Sequence, residues 1–257
     1  MFSIVIPGRG SLHAVLAGPR QPAGCRLFLY PSPDISQSMG VSTAFLVDGF
    51  NLYHSLRDAE RHLAGPTNND PQTRWLDLPQ LCRAQLHNMG RNRHTELENI
   101  YYFSALAHFL EHDNPGVVDR HEKYLRCLRL GGVVVELGQF KRKTVYCKDC
   151  GSTFERHEEK ETDVRIAARL FEVLQTGECD IAVIVSGDTD LVPAIKTAQR
   201  LYDSCEVWAA FPFNRHNNEV EDIADGHVTL KAQNYTRAQF PDPYTGANEP
   251  IEKPNKW

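Results

Sequence analysis

Residues 181–185 read Ile-Ala-Val-Ile-Val, an unbroken apolar run with no polar residue alternating through it. A strand with one face in water alternates apolar and polar positions, so a run of this kind is covered on both faces. Related runs recur at Ala44–Val47, Asn99–Ser104, Val133–Leu137 and Cys205–Ala209. Between them the apolar residues fall at helical spacing: Phe50, Tyr53, Leu56 and Leu63, then residues 78 to 89, then Tyr124, Leu125 and Leu128 within His121–Leu130. Thr162–Leu174 and Leu191–Leu201 complete the set, with Pro193 tolerated in a first turn. Doubly covered strands alternating with helices mean an α/β fold with a parallel sheet.

Local signals refine the pattern. Gly131-Gly132 closes the helix before Val133, since glycine accepts the left-handed cap. Thr162 is expected as the N-cap of its helix, with Val164, Ala167, Ala168, Phe171 and Leu174 as the buried stripe. Residues 1–38 are rich in Pro, Gly and Ser without a sustained period, which predicts disorder. They read either as a flexible arm or as an artefact of start-codon choice ahead of Met39. The folded domain is expected over 39–230, with a hairpin inserted near 138–158 and an extended tail over 231–257.

Composition narrows the class. A hydrophobic fraction of 41% supports a core, and no apolar run approaches the roughly 20 residues that cross a bilayer. The N-terminal apolar patch has no basic region ahead of it and breaks at Pro7 and Gly8, unlike a signal peptide. Seven cysteines, an odd number, then suit free thiols in a reducing cytoplasm. The formal net charge of −5 disfavours a protein that holds nucleic acid by electrostatics alone. A nucleic-acid substrate therefore requires bound cations and a local basic patch.

Four aspartates carry the chemistry: Asp48 in FLVDGFN, Asp163 in KETDVRIA, and Asp188 and Asp190 in VIVSGDTD. Asp48 and Asp188 follow strands, and in open parallel sheets ligands bind beyond the carboxyl ends of strands at a topological switch point. Asp163 falls in the first turn of its helix, where the helix dipole favours an anion. Gly187 is expected to let the chain turn sharply, so that Asp188 and Asp190 point the same way. Asn51, in the first turn after Asp48, can donate to a phosphate oxygen or accept from a bound water. Gathered carboxylates repel unless a cation neutralises them, and an oxygen-only set suits Mg²⁺ or Mn²⁺ better than Zn²⁺. The plainer alternative for each is an N-cap or a favourable first-turn charge. The sequence contains no P-loop, no G-x-G-x-x-G and no Ser/His/Asp order.

A second motif is Cys147-x-x-Cys150-Gly, the shape of a zinc knuckle, with His157, His108 or His112 as candidate third ligands; reduced thiols in a turn are the alternative. Just before it, Lys141-Arg142-Lys143, with Lys148, Arg156 and the interleaved Phe140, Tyr146 and Phe154, is the best patch for an RNA backbone, or else a solvated charged strand.

The segments VDGFNLYHSL, KETDVRIAARL and IVSGDTDLVPAI, in that order, resemble the three motifs of NYN domains, a branch of the PIN-like ribonucleases, over Val41 to Val228. A subgroup of that family is similar in carrying a CxxCG hairpin before the helix of the second segment. The resemblance implies a three-layer α/β/α, PIN-like (Rossmann-like) domain with a central, mostly parallel sheet, and divalent-metal-dependent cleavage of RNA. It implies Asp48, Asp163 and Asp188 as metal ligands with Asp190 assisting, Asn51 and Ser186 orienting substrate or water, and Lys160 contacting a phosphate. A metal-dependent phosphatase and a non-catalytic RNA-binding scaffold are the alternatives. A homo-oligomer or a regulatory protein partner is left open.

Overall fold

The computed structural model describes residues 40–65, 72–89, 93–246 and 249–255. The expectation for 1–38 lies outside the described residues.

The core strands are β1 (Val41–Asp48), β2 (Thr95–Ser104), β3 (Val134–Leu137), β6 (Ile181–Val185), β7 (Glu206–Phe211) and β8 (Gly226–Thr229). They form one six-stranded sheet in the order β3-β2-β1-β6-β7-β8, and every pair in it is parallel. The chain winds outward from β1 to one edge through β2 and β3. It then returns to the centre at β6 and winds to the other edge. The switch point is therefore the crevice between β1 and β6. Register across it pairs Val47 with Val185, so the next residues, Asp48 and Ser186, emerge side by side at the carboxyl edge.

Period-2 alternation splits β1 between two cores. Phe45 and Val47 pack with Leu52, Leu56, Leu78, Tyr124 and Leu128, on the side of α1 (Gly49–Ala64), α2 (Leu78–Gln85) and α3 (Val117–Leu130). Ala44 and Leu46 pack with Ile166, Leu170, Ile195 and Val220, on the side of α4 (Thr162–Thr176), α5 (Val192–Leu201) and α6 (Asn218–Ile223). The fold is thus three-layered α/β/α.

Four expectations shift. The stretch after Leu78 is α2 followed by a 3₁₀ turn at Leu86–Asn88. In α4 the capping position belongs to Glu161, at φ 80 and without a side-chain cap bond, while Thr162 is buried inside the first turn. The buried stripe of α4 is Ile166, Leu170, Val173 and Leu174, and Val164 is 72% exposed. Two overlapping apolar sets share that helix, and the one with more large branched side chains faces the sheet. The segment after Thr229 is packed, where an extended tail was expected. It forms α7 (Ala232–Arg237), buries Tyr235, and seats Phe240 against Trp75, with ring centroids 6.2 Å apart. Its Pro, Asn and Gly content masks widely spaced apolar anchors.

Outside the sheet, β4 (Gln139–Tyr146) and β5 (Thr153–Lys160) pair antiparallel as a two-stranded hairpin, reaching from 139 to 160.

Candidate active site

At the switch point Asp48 is 5% exposed and serves as the N-cap of α1. Its Oδ1 accepts the N–H groups of Phe50 (3.0 Å) and Asn51 (2.9 Å), and its Oδ2 accepts the Ser186 hydroxyl (2.9 Å). Cap and cluster member are therefore the same residue. Burial raises its pKa against the pull of those hydrogen bonds, led by Asn51.

Asp48 shares a cavity of ≈ 260 Å³ with Asn51, Glu159, Asp163 and Asp188. Asp163 projects from the first turn of α4, as its position in the sequence predicts. Its carboxyl is pushed up to about 6 by burial and then by Asp188, Asp48 and Asp190. Glu159, at the end of β5, is pushed up to about 7 by burial, with Asp48 and Asp163 adding to it against a hydrogen bond from Thr162. Among the described residues no Lys or Arg is on the cavity wall. These oxygen donors fit a hard divalent cation such as Mg²⁺ or Mn²⁺. Among the described residues no three His, Cys, Asp or Glu side chains already converge on one point.

Asp190 does not line the cavity. It sits exposed in a 3₁₀ turn, its N–H donating to Asp188 Oδ1 (3.0 Å), near enough to act on Asp163 through its charge. Ser186, expected to orient substrate or water, is 1% exposed. Its Oγ donates to Asp48 and accepts the Asp188 N–H (3.1 Å), so it positions two carboxylates instead. Asn51 Oδ1 accepts the Gly187 N–H (3.4 Å), leaving its NH₂ as the end free to meet a phosphate oxygen. Gly187 is not in the left-handed region, as the turn argument required. A Cβ there would lie 1.8 Å from the Arg215 carbonyl oxygen, so close backbone approach is what demands glycine.

Removing the Ser186 hydroxyl strips a donor from a buried carboxylate. Ser186→Ala is expected to destabilise by about 1–3 kcal/mol. It also raises the Asp48 pKa further, moving the acidic limb of the pH–rate profile upward. Thermal melts and that profile check both.

The family model of the NYN domain matches residues 42–231. This chain belongs to the NYN domain family. NYN domains are a PIN-like nuclease family, and a ribonuclease is what membership supports at the family level. No curated protein matches the chain. Among solved structures it is similar to a protein of unknown function from Vibrio parahaemolyticus RIMD 2210633, at 19% identity and a TM-score of 0.50, over 77% of this chain and 97% of that one. That likeness concerns the fold alone. A deacetylase of teicoplanin biosynthesis, in complex with teicoplanin, aligns at 10% identity and a TM-score of 0.30, over 64% of this chain and 68% of that one. The second likeness carries no argument.

The NYN domain's hairpin differs from its sequence reading in two respects. Its basic residues are laddered with glutamates: Lys141 with Glu161 (3.8 Å), Arg142 with Glu155 (3.1 Å), and Lys143 and Lys160 both with Glu158 (2.9 and 3.0 Å). Lys160 therefore points its charge at Glu158, outside the acidic cavity lining. Such exposed pairs contribute about 0–1 kcal/mol each. At the hairpin tip, the Gly151 N–H donates to the Cys147 carbonyl (2.9 Å) and Ser152 lies 2.8 Å from the Cys150 sulfur, which lowers that thiol to about 7. Both thiols are free, and among the described residues no third His, Cys, Asp or Glu joins them. His157 is taken up elsewhere, stacked on Phe109. Two thiolates fall short of the four ligands of a structural zinc, so this chain does not fit that site by itself.

Sequence reasoning passed over Glu159, Thr162 and Arg215. Glu159 was hidden in the charged run RHEEKETD, although strand alternation places it on one face with His157. Arg215 carries no local motif. It is tied to Asp58 (2.6 Å), and its role at Gly187 exists only in three dimensions.

The raised carboxyls make stability depend on pH when no cation is bound. Their folded pKa values exceed the unfolded ones, so the penalty is absent below about 4 and complete above about 7. The His121 imidazole, lowered to about 4 by burial, acts in the opposite sense over part of that range. Comparing Asp163→Asn with the wild type cancels it. In chelator the variant is expected to melt higher than the wild type at pH 8, with the gap closing toward pH 4. A gap independent of pH contradicts the repulsive cluster.

Proposed function

We propose that this NYN domain is a divalent-metal-dependent ribonuclease that hydrolyses RNA phosphodiesters at the switch-point cavity. The observation that carries the reading is the set of carboxylates lining one cavity, Asp163 and Glu159 among them raised by burial and mutual repulsion, with no Lys or Arg among the described residues of its wall. A cluster that is unfavourable by itself is suited to a cation. Asp48, Asp163 and Asp188 are the proposed ligands of Mg²⁺ or Mn²⁺, with Asp190 contributing charge from outside. When bound, the ion supplies Lewis-acid activation of water and compensation of the charge that develops on the phosphate.

The chain's own groups do the rest. Ser186 and the α1 N-terminus hold Asp48 in one orientation. The Asn51 NH₂ orients a phosphate oxygen, and Glu159, on the cavity wall, accepts or returns a proton at its carboxyl oxygen. Lys141, Arg142, Lys143 and Lys160 exchange their glutamate partners for flanking phosphates, which answers the acidic net charge.

Because water is the nucleophile in this reading, the RNA 2′-hydroxyl takes no part. Incubating the protein with RNA pools and Mn²⁺, then mapping the ends, is expected to give phosphate and hydroxyl termini with no 2′,3′-cyclic phosphate. A small phosphate ester assayed alongside is expected to be spared. Cyclic phosphate ends, or preference for the small ester, would replace this mechanism. RNA binding without product under any metal would point to the scaffold reading.

A further inference from the structure

Beside the acidic cavity lies a second cleft, of ≈ 440 Å³, that the hydrolysis does not use. Its walls come from the loop after β2, the β3–β4 junction and the inner end of β5, and they include Phe109, Phe140, His157, Gln139 and Arg142. The Phe109 ring stacks flat on His157, with centroids 4.0 Å apart and planes 8° apart. Phe140 meets the edge of Phe109 at 4.9 Å and packs on Phe50 at 5.4 Å. We infer that this cleft binds an unpaired nucleobase of the RNA strand whose phosphate occupies the acidic cavity, so that the substrate is single-stranded there.

Three observations support that occupant. First, the two cavities adjoin: Phe50 lines the acidic one and touches Phe140 of the other. Gln139 likewise lines the cleft while its amide donates to Glu161 of the acidic cavity (2.8 Å). Second, aromatic rings with the Gln139 amide and the Arg142 guanidinium at their margin match a flat ring with polar edges. Any base offers a π face, and stacking is the sequence-tolerant way to hold one. Third, among the described residues Arg142 has its ion pair with exposed Glu155, so its charge can pass to the adjoining phosphate. A base engaged in a duplex cannot enter such a cleft, which sets the substrate class.

The inference rests on RNA being the substrate, and its test separates the two claims. A single-stranded RNA carrying 2-aminopurine at successive positions is mixed with the wild type and Phe109→Leu, and fluorescence is followed by stopped flow before cleavage. Quenching is expected at one position near the cut and is lost in Phe109→Leu. Removing the base at that same position is expected to lower kcat/KM about 5- to 150-fold in the wild type and to have little further effect in the variant. Absence of quenching, quenching indifferent to Phe109→Leu, or tolerance of the abasic nucleotide overturns the cleft's role even if RNA is cleaved. Position-specific quenching without cleavage overturns the hydrolysis and leaves the cleft standing. If melting shows Phe109→Leu to be unfolded, the abasic scan on the wild type decides alone.

Discussion

Asp188→Asn is expected to lower RNA cleavage by roughly two orders of magnitude or more, and Asp48→Asn to do the same. A metal-stabilised charge is worth several kcal/mol in the transition state, and each 1.36 kcal/mol is tenfold in rate. The fold should survive both changes. Asparagine at position 48 still offers a carbonyl to the Phe50 and Asn51 N–H groups, and asparagine caps helices as well as aspartate does. Position 188 is half-buried, and its cap bond to the Asp190 N–H can likewise be kept. Unchanged melting with lost cleavage assigns these carboxylates to chemistry. A drop in melting temperature that parallels the loss of rate would make them caps and nothing more.

Gly187→Ala acts by a different route. The added Cβ would sit 1.8 Å from a backbone oxygen, so no flexible side chain can move aside. The loop bearing Arg215 is fastened on three sides. The Phe213 N–H donates to the Tyr235 hydroxyl (2.9 Å), Ser55 donates to the Phe213 carbonyl (2.7 Å), and Arg215 is paired with Asp58 (2.6 Å). Yielding there pulls on α1, α7 and the loop together. Overpacking of this kind costs about 3 kcal/mol, or roughly 6–12 °C in melting temperature for a domain of this size. Activity should fall as well, because the Gly187 N–H anchors Asn51 and the neighbouring residue is Asp188. A variant that melts like the wild type would mean that the loop is far less braced than these bonds indicate.

What could be read from the sequence follows from how local each signal is. The run Ile181–Val185 announced a strand covered on both faces, and the positions of Asp48 and Asp188 after such runs placed them at the sheet's carboxyl edge. These are consequences of period and order, which a sequence carries directly. The phase of α4 was not legible in the same way, because two apolar sets overlap on it and only the sheet chooses between them. The family resemblance implies Ser186 as a contact to substrate or water because it stands inside the third motif segment. Its burial and its bond to Asp48 depend on the register of β1 against β6. Phe109 and Arg215 were out of reach for the same reason: Phe109 meets His157, and Arg215 meets Gly187, across a large separation in sequence. Composition misled at the C-terminus, where Tyr235, Phe240 and Ile251 are buried within a segment that reads as a loose tail.

The central claim is that the carboxylates at the switch point work through a divalent cation to cut RNA. The most direct test is to follow cleavage of a single-stranded RNA by the wild type, Asp48→Asn and Asp188→Asn in chelator-treated buffer, and then with Mn²⁺ or Mg²⁺ restored. The account predicts no cleavage by any protein in chelator, cleavage by the wild type alone when the metal returns, and little by either variant. Undiminished cleavage by both variants in chelator-treated buffer would contradict it.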